Sequence, residues 1–312
     1  RPPRIRHIIR MALKDIKTKI KATERTHKVT RAMEAVSAVK MRKTQSTALA
    51  GRPYARAALS VLARLSGSND VTRHPLARVR KIENIALVIL TSDKGLAGAL
   101  NSSVIKAAAE AVASYPVGGV TVYAYGKKGE EYFARRGYRI ARAFENKKDS
   151  IELSVMEELA SELSREFAQE TYDEVVVAYS NFKSTFEQVP AVRRLLPLSV
   201  ENITQLVNDI IPVKGRWSDS GAIESPAAYS IEPDGAEVLG YLMPRLVSIS
   251  LYHFLLEAKA SEHSARMVAM KNASDKSKEV AHDLTRLFNK IRQASITREV
   301  SEIISGREAL AA

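Results

Sequence analysis

The stretch that decides the fold is residues 258–306, AKASEHSARMVAMKNASDKSKEVAHDLTRLFNKIRQASITREVSEIISG, which holds no proline and has its only glycine at the last position. Its apolar side chains recur every three or four residues, the spacing of one helix face: Leu284, Leu287, Phe288, Ile291, Ile296, Val300, Ile303 and Ile304. The pattern extends upstream to about Ala236, past Gly240 and Pro244. A helix from Ala236 to Leu310 would be roughly 110 Å long at about 1.5 Å per residue. A globular domain of this size cannot contain it, so we expect it to project toward a partner.

A second long helix is predicted from Met11 to about Ser66, where apolar residues again follow a helical stripe. A compact domain between the two helices would bring its ends together, so we expect the helices to pair as an antiparallel coiled coil. The C-terminal helix would be longer than this N-terminal helix by about twenty residues. Its apolar tip, with Ile303, Ile304 and Leu310, would then stand uncovered and fit the pocket or sleeve of a partner.

The central part of the chain predicts one α/β domain, because apolar strand patterns alternate there with helical ones. The run Asn84–Thr91 is continuously apolar, which is typical of a strand buried on both faces. The last strand, near residues 188–198, contains Pro190 and is therefore expected at a sheet edge. The predicted segments are a basic helix at 1–67, a linker at 68–82, the α/β domain at 83–212, an irregular loop at 213–235 and a second long helix at 236–312.

The positive charge is concentrated at the start of the chain. The formal net charge is +13, and residues 1–56 alone hold sixteen Lys and Arg against three acidic residues. The rest of the chain is therefore neutral overall. A basic stripe of this length favours binding to an acidic partner over a merely solvated surface. Nucleic acid, an anionic membrane and acidic protein loops all satisfy that requirement.

No constellation of residues predicts catalysis. The chain has no cysteine, which excludes disulfides and thiolate metal sites, and its six histidines are scattered. Gly95 and Gly98 lie between a predicted strand and helix, where phosphate loops occur, but their spacing matches neither common phosphate-binding motif. We interpret them as a tight turn in which Asp93 accepts backbone N–H bonds. The sequence predicts no cofactor and a chain that is not an enzyme by itself.

No apolar run approaches the ~18 residues that cross a bilayer, so we expect any membrane contact to be indirect. Two alternative functions remain open at this point. The basic stripe fits a coiled-coil protein that binds nucleic acid, with an affinity that falls steeply with salt. Gly95 and Gly98 fit a nucleotide-dependent α/β enzyme.

Several segments together resemble the gamma subunit of F-type ATP synthase, the central rotor shaft. The last one, RQASITREVSEIISG at 292–306, is the most specific. The others are IKTKI at 16–20, KVTRAMEAV at 28–36, KMRK at 40–43, SDKGLAG at 92–98 and ARMVAM at 265–270. Ala97 stands where the family often has cysteine, and Arg307 where alanine usually follows the glycine. The resemblance covers Met11 to Gly306.

The resemblance implies an α/β fold in which a long antiparallel coiled coil is attached to a central Rossmann-like domain. It implies one such shaft inside a ring of three alpha and three beta subunits, with a foot that holds the epsilon subunit and rests on the c-subunit ring. Proton flow would turn the ring, and the shaft would drive successive beta subunits through their states. The location would be peripheral, on the cytoplasmic face of a bacterial plasma membrane or the matrix side of a mitochondrial one.

The resemblance also implies roles for particular residues. Contacts with the beta-subunit catch loop would come from Arg292, Gln293 and Thr297. Contacts with the acidic beta lever would come from Met33, Lys40 and Arg42. Tyr229 and Glu232 would lie at the foot near the c ring. The family signature itself is carried by Ile296, Thr297, Glu299, Glu302 and Gly306.

Overall fold

The computed structural model describes residues 3–65, 71, 73–146, 153–199 and 235–311 of the chain. Two long helices enclose the α/β elements in sequence. The helices are α1 (Pro3–Leu65), α2 (Leu100–Val112), α3 (Lys127–Ala134), α4 (Leu153–Ala168) and α5 (Gly235–Ala311), and the strands are β1 (Ile85–Leu90), β2 (Val120–Tyr125), β3 (Arg139–Phe144), β4 (Glu174–Phe182) and β5 (Gln188–Leu196). The α/β class expected from the sequence is confirmed, and each predicted strand is present.

The strands form one sheet in the order β3-β2-β1-β4-β5. All neighbouring pairs are parallel except β4 with β5, which is antiparallel. Pro190 lies on β5, at the sheet edge, where its missing N–H costs no ladder bond. The prediction from Pro190 is confirmed.

Helices cover both faces of the sheet, which explains the continuous apolar run of β1, buried along its whole length. On one face α2 and α3 contribute Val104, Ala108 and Phe133 to the core. On the other face α4 packs together with the first part of α5. The rings of Tyr179 on β4 and Phe254 on α5 stack with their centroids 4.6 Å apart. The start of α5 is thus a core element of the α/β layer.

The chain divides into two compact units, and the division cuts through both long helices. One unit joins residues 1–36 to 267–312, and the other comprises 37–266. We call them the helix-pair unit and the α/β unit. The first thirty-odd residues of α5 therefore belong to the α/β unit, because their apolar side chains are used by its core.

One segment of the chain passes a composition test for a membrane span. An 18-residue window in the helix Glu237–Arg307 reaches a mean hydropathy of 1.3, although 56% of that window is buried within the protein. The expectation that no apolar run approaches the ~18 residues of a membrane span was therefore wrong for this part of α5. Burial on this scale is what the core helix of a folded domain shows, and α5 supplies such core residues here.

Candidate functional sites

The turn after β1 is fastened by Asp93. Its carboxylate accepts one hydrogen bond from the backbone N–H of Lys127 and another from that of Asn146, both 2.9 Å long. The prediction that Asp93 accepts backbone N–H bonds is confirmed, but the donors come from the ends of β2 and β3 rather than from its own turn. Parallel strands end at one edge of a sheet, so a single carboxylate can join three of them.

The N-terminus of α3 is filled by this turn. The N–H groups of Lys127, Lys128 and Gly129 donate to the Asp93 carboxylate, the Ser92 carbonyl and the Thr91 hydroxyl respectively. A helix N-terminus at this place in an α/β fold is where an anionic ligand is commonly bound. Here the protein's own groups occupy those donors. The arrangement argues against phosphate binding at this helix and favours a structural turn.

Gly126 makes the approach of β2 to this turn possible. Its φ is +99°, and a Cβ there would lie 2.0 Å from the carbonyl oxygen of Thr91. Only glycine tolerates both conditions. Gly126 was not among the glycines singled out from the sequence, although a glycine directly after a predicted strand is a usable signal for a close backbone approach.

A polar network connects the same turn to α5 within the α/β unit. The side-chain amide of Asn146 donates to the Thr91 carbonyl at 2.8 Å and to a Glu262 carboxylate oxygen at 3.4 Å. The other oxygen of Glu262 accepts from Arg266 at 2.7 Å, and Arg266 also reaches the Gly95 carbonyl at 3.4 Å. The side chains of Glu262 and Arg266 are only 12% and 11% exposed. This buried pair ties the turn to the long helix.

Small hydroxyl side chains of α5 fasten it to the β4–β5 hairpin. Ser261 donates to the Ser180 carbonyl at 2.9 Å, and Ser264 donates to the Thr185 carbonyl at 2.6 Å. Both serines are fully buried. The serines of ASEHSARM therefore serve close helix–sheet contact rather than chemistry.

Burial and hydrogen bonding shift the pKa values of ionisable groups in the α/β unit. Burial, with help from the hydroxyl of Tyr172, raises the pKa of Tyr123 far above its ordinary value. Arg142 donates hydrogen bonds to the carboxylates of Glu162 and Glu158, and these bonds raise its pKa. Among the residues that the structure describes, no three His, Asp or Glu side chains form a group able to hold a metal ion.

In the helix-pair unit, α1 and the distal part of α5 lie side by side. Nδ1 of His27 is 3.0 Å from the carbonyl oxygen of Ser274 and 2.9 Å from its hydroxyl oxygen. The unit joins the start of the chain to the end of α5, so the two helices run antiparallel. Their half-buried positions alternate by four and three residues, the repeat of a coiled coil; on α5 these include Ser277, Ala281, Leu284, Phe288, Ile291 and Ser295.

The predicted signature lies on the exposed end of α5. Arg292, Gln293 and Thr297 are exposed, and so are Glu299, Glu302 and Gly306. The apolar side chains there are uncovered as well: Ile296 is 52% exposed, Ile303 68% and Ile304 53%. These residues share one short stretch of helix and are available for contact with another molecule.

Helix α5 is longer than α1, but by fewer residues than expected. The two helices have 77 and 63 residues, a difference of fourteen rather than about twenty. The expectation was wrong because it began the first helix near Met11, whereas α1 begins at Pro3.

The residues expected at the beta lever are divided between the two units. Met33, in the helix-pair unit, is half-buried. Lys40 is half-buried and Arg42 exposed, and both belong to the α/β unit. In the register set by His27, Met33 lies beside residue 268, so it is roughly 35 Å along the helix from Arg292. The structure does not bring Met33 and Arg292 together. Tyr229, Glu232 and the loop at 213–231 lie outside the described residues.

Two parts of these sites were missed by sequence reasoning. The network of Asn146, Glu262 and Arg266 joins residues more than a hundred positions apart, which no local pattern reveals. His27 carried a weaker but usable signal. It occupies an inner position of a helical repeat, where a polar side chain requires a partner on the facing helix.

Two long terminal helices pair in one unit, and an α/β unit lies between them in sequence, which defines the class of protein. The sequence model of the ATP synthase family matches residues 12–310. The ATP synthase gamma chain of Pelotomaculum thermopropionicum is 36% identical over 299 residues, which cover 96% of this chain and 99% of that one. The gamma chain of Roseiflexus castenholzii is 39% identical over 302 residues, covering 96% and 98%. The chain belongs to the ATP synthase gamma chain family.

Solved structures agree with this assignment. The central stalk and c-ring structure of the Tetrahymena thermophila mitochondrial ATP synthase contains a chain with a TM-score of 0.59 and 26% identity; the match covers 79% of this chain and 99% of that one. A chain of the Euglena gracilis mitochondrial ATP synthase gives a TM-score of 0.61 at 19% identity, with coverage of 96% and 94%, and shows the shared fold. The function of the family is that of the ATP synthase central stalk.

Proposed function

We propose that this chain is the non-catalytic rotor shaft of a proton-translocating F-type ATP synthase, which couples rotation of a membrane ring to ATP synthesis and hydrolysis in surrounding catalytic subunits. The observation that carries the proposal is the exposed end of α5. It presents a family-specific signature and exposed isoleucines in the last turns of a long helix. The N–H donors at the N-terminus of α3 already bond the protein's own groups, which supports a non-catalytic role.

The residue roles follow from the family match. Arg292, Gln293 and Thr297 would contact the catch loop of a beta subunit, and their exposure is compatible with that role. Met33, Lys40 and Arg42 would face the acidic beta lever. Exposed ion pairs contribute only about 0–1 kcal/mol each, so we expect force to pass mainly by steric contact with a stiff helix pair. Individual charges would then adjust the coupling rather than create it.

The partners would be three alpha and three beta subunits, with one copy of this chain per complex. Segments 1–67 and 236–312 would form the shaft and 83–212 the foot. The foot would hold the epsilon subunit and rest on the c ring, with Tyr229 and Glu232 near that contact. The complex would lie peripherally on the cytoplasmic face of a bacterial plasma membrane, or on the matrix side of a mitochondrial one. Membrane contact would pass through the c ring.

Reconstitution with alpha and beta subunits tests the proposal. The chain should raise ATP hydrolysis above that of alpha and beta alone, and a bead attached to the α/β unit should rotate during hydrolysis. Equal hydrolysis with and without the chain, together with a static bead, would refute the rotor role.

A matched pair of variants tests the tip. Ile303→Asp places a charge on an apolar side chain that is 68% exposed, so folding should be unaffected while the fit in an apolar sleeve is lost. Ser301→Asp adds the same charge to an exposed polar position two residues away and should leave assembly unchanged. Equal loss of assembly in both variants would contradict an apolar sleeve around Ile303.

A further inference from the structure

A polar layer interrupts the apolar seam of the helix-pair unit. On α1 the inward positions change from Leu13, Ile16 and Ile20 to the polar residues Thr23, His27 and Thr30. On α5 the facing positions are Ser274 and Ser277. Ser274 is 3% exposed and Thr30 8% exposed, whereas Thr23, His27 and Ser277 are half-buried.

Within this layer the bond that crosses between the helices is made by His27. The other hydroxyls are used inside their own helices: Thr23 donates to the Lys19 carbonyl, Thr30 to that of Thr26 and Ser277 to that of Ala273. His27 instead reaches Ser274 on the facing helix. Either tautomer of His27 bonds Ser274, because Nδ1 donates to its carbonyl when protonated and accepts from its hydroxyl when not.

The apolar seam alone leaves the alignment of the helices poorly determined. With His27 opposite Ser274, the heptad repeat places Ile20 beside Ala281 and Leu13 beside Phe288, and all four side chains are half-buried. A slide of seven residues, about 10.5 Å along the helix, would still form one apolar pair, Ile20 beside Phe288 in one direction or Leu13 beside Ala281 in the other. The same slide would place His27 beside Met267 or Ala281, whose side chains have no hydroxyl to replace that of Ser274. A half-buried imidazole that loses this partner disfavours the slid alignment.

We propose that the His27–Ser274 layer sets the axial register of the two helices. The layer acts as a buried polar residue does in other coiled coils, where it selects one alignment at some cost in stability. The register determines which residues of α5 lie beside the first turns of α1. The proposal about register is independent of the rotor role, whereas its consequence for coupling rests on the proposed function.

Engineered disulfides in the full-length chain measure the register, because the chain has no cysteine of its own. The pair Ile20→Cys with Ala281→Cys reports the observed alignment. The pairs Ile20→Cys with Phe288→Cys and Leu13→Cys with Ala281→Cys report slides of one heptad in either direction. We expect the first pair to oxidise at least ~10-fold faster than either slid pair when His27 is present.

The register preference should depend on His27. In His27→Leu and in the smaller His27→Ala, we expect the observed pair to oxidise less than ~3-fold faster than the slid pairs. The remaining seam no longer distinguishes the alignments. His27→Gln keeps an N–H donor and should restore most of the preference. Thr23→Val is the matched control: its hydroxyl bonds its own helix, so the ratio should stay at the wild-type value.

Circular dichroism on each variant verifies that the helices are retained. If both His27→Leu and His27→Ala keep the ~10-fold preference, the apolar seam sets the register and the proposal is wrong. An equal loss in Thr23→Val would also overturn it, because any polar-to-apolar change would then suffice. Coupling can be measured on the same variants after reconstitution. A lost register with normal rotation would leave the register assignment intact and contradict only its link to the rotor role.

Discussion

Replacing Asp93 should destabilise the α/β unit, and by a different amount in each of two variants. Asp93→Ala leaves the N–H groups of Lys127 and Asn146 without their acceptor, whereas Asp93→Asn keeps one carbonyl oxygen and can serve one of them. The two bonds are 2.9 Å long and charge-assisted, and the Asn146 bond is partly buried.

The expected size follows from those two bonds. A net hydrogen bond to a charged group contributes about 1.5–3 kcal/mol when withdrawn from water, and less where water can replace the acceptor. The Lys127 bond is exposed, so we assign it about 0.5–1 kcal/mol, in the range of a helix N-cap. Asp93→Ala should therefore lower the free energy of unfolding by about 2–3 kcal/mol, and Asp93→Asn by about half that.

Two measurements check that Asp93→Ala is less stable than Asp93→Asn, and both less stable than wild type. Denaturant unfolding of the full-length chain, followed by a probe in the α/β unit, gives the free energy. Hydrogen exchange gives the local result: the amides of Lys127 and Asn146 should exchange faster in Asp93→Ala than in wild type. Glu110→Ala is the matched control, since Glu110 pairs with Lys106 only at the surface and should change stability by less than about 0.5 kcal/mol. The reasoning fails if Asp93→Ala unfolds with the wild-type free energy or leaves both amides protected.

Other perturbations have equally definite outcomes. Gly126→Ala should destabilise the α/β unit by at least about 2–3 kcal/mol, because its Cβ would meet the Thr91 carbonyl oxygen and its φ is positive; Gly95→Ala, with open space around the position, should cost far less in the same unfolding assay. Met33→Lys should reduce ATP-driven proton pumping per ATP hydrolysed while Met33→Leu does not, and equal ratios would contradict placement near an acidic lever. Burial lowers the pKa of His74, whose ring accepts a bond from the Leu76 N–H, so folding stability should fall as the pH drops below the ordinary value of 6.5. In His74→Asn, which retains an acceptor without titrating, that part of the pH dependence should disappear, and an unchanged curve would show that His74 is not its source.

The elements of the fold follow from the sequence because their patterns are local. The buried strand at Asn84–Thr91, the edge strand marked by Pro190 and the helical repeats at both ends all depend on neighbouring residues, and each is present. The signature at residues 292–306 was visible for the same reason, and its exposure agrees with a contact role. Met33, Lys40 and Arg42 could be identified only by family match, since a basic helix face by itself does not specify which acidic partner it meets.

What the sequence by itself determined is the identity of the elements and of the family, since periodicity and motifs are properties of short stretches of chain. The tertiary structure decided which distant groups satisfy one another. Asp93 joins three strand ends, Asn146 and Arg266 connect the same turn to α5, and His27 finds Ser274 across the helix pair. A buried polar group requires a partner, but sequence shows only the requirement. The fold of the chain determines which partner each group meets. The same fold places acceptors from residues 91–93 at the N-terminus of α3, so the turn with Gly95 and Gly98 is structural and not a phosphate loop.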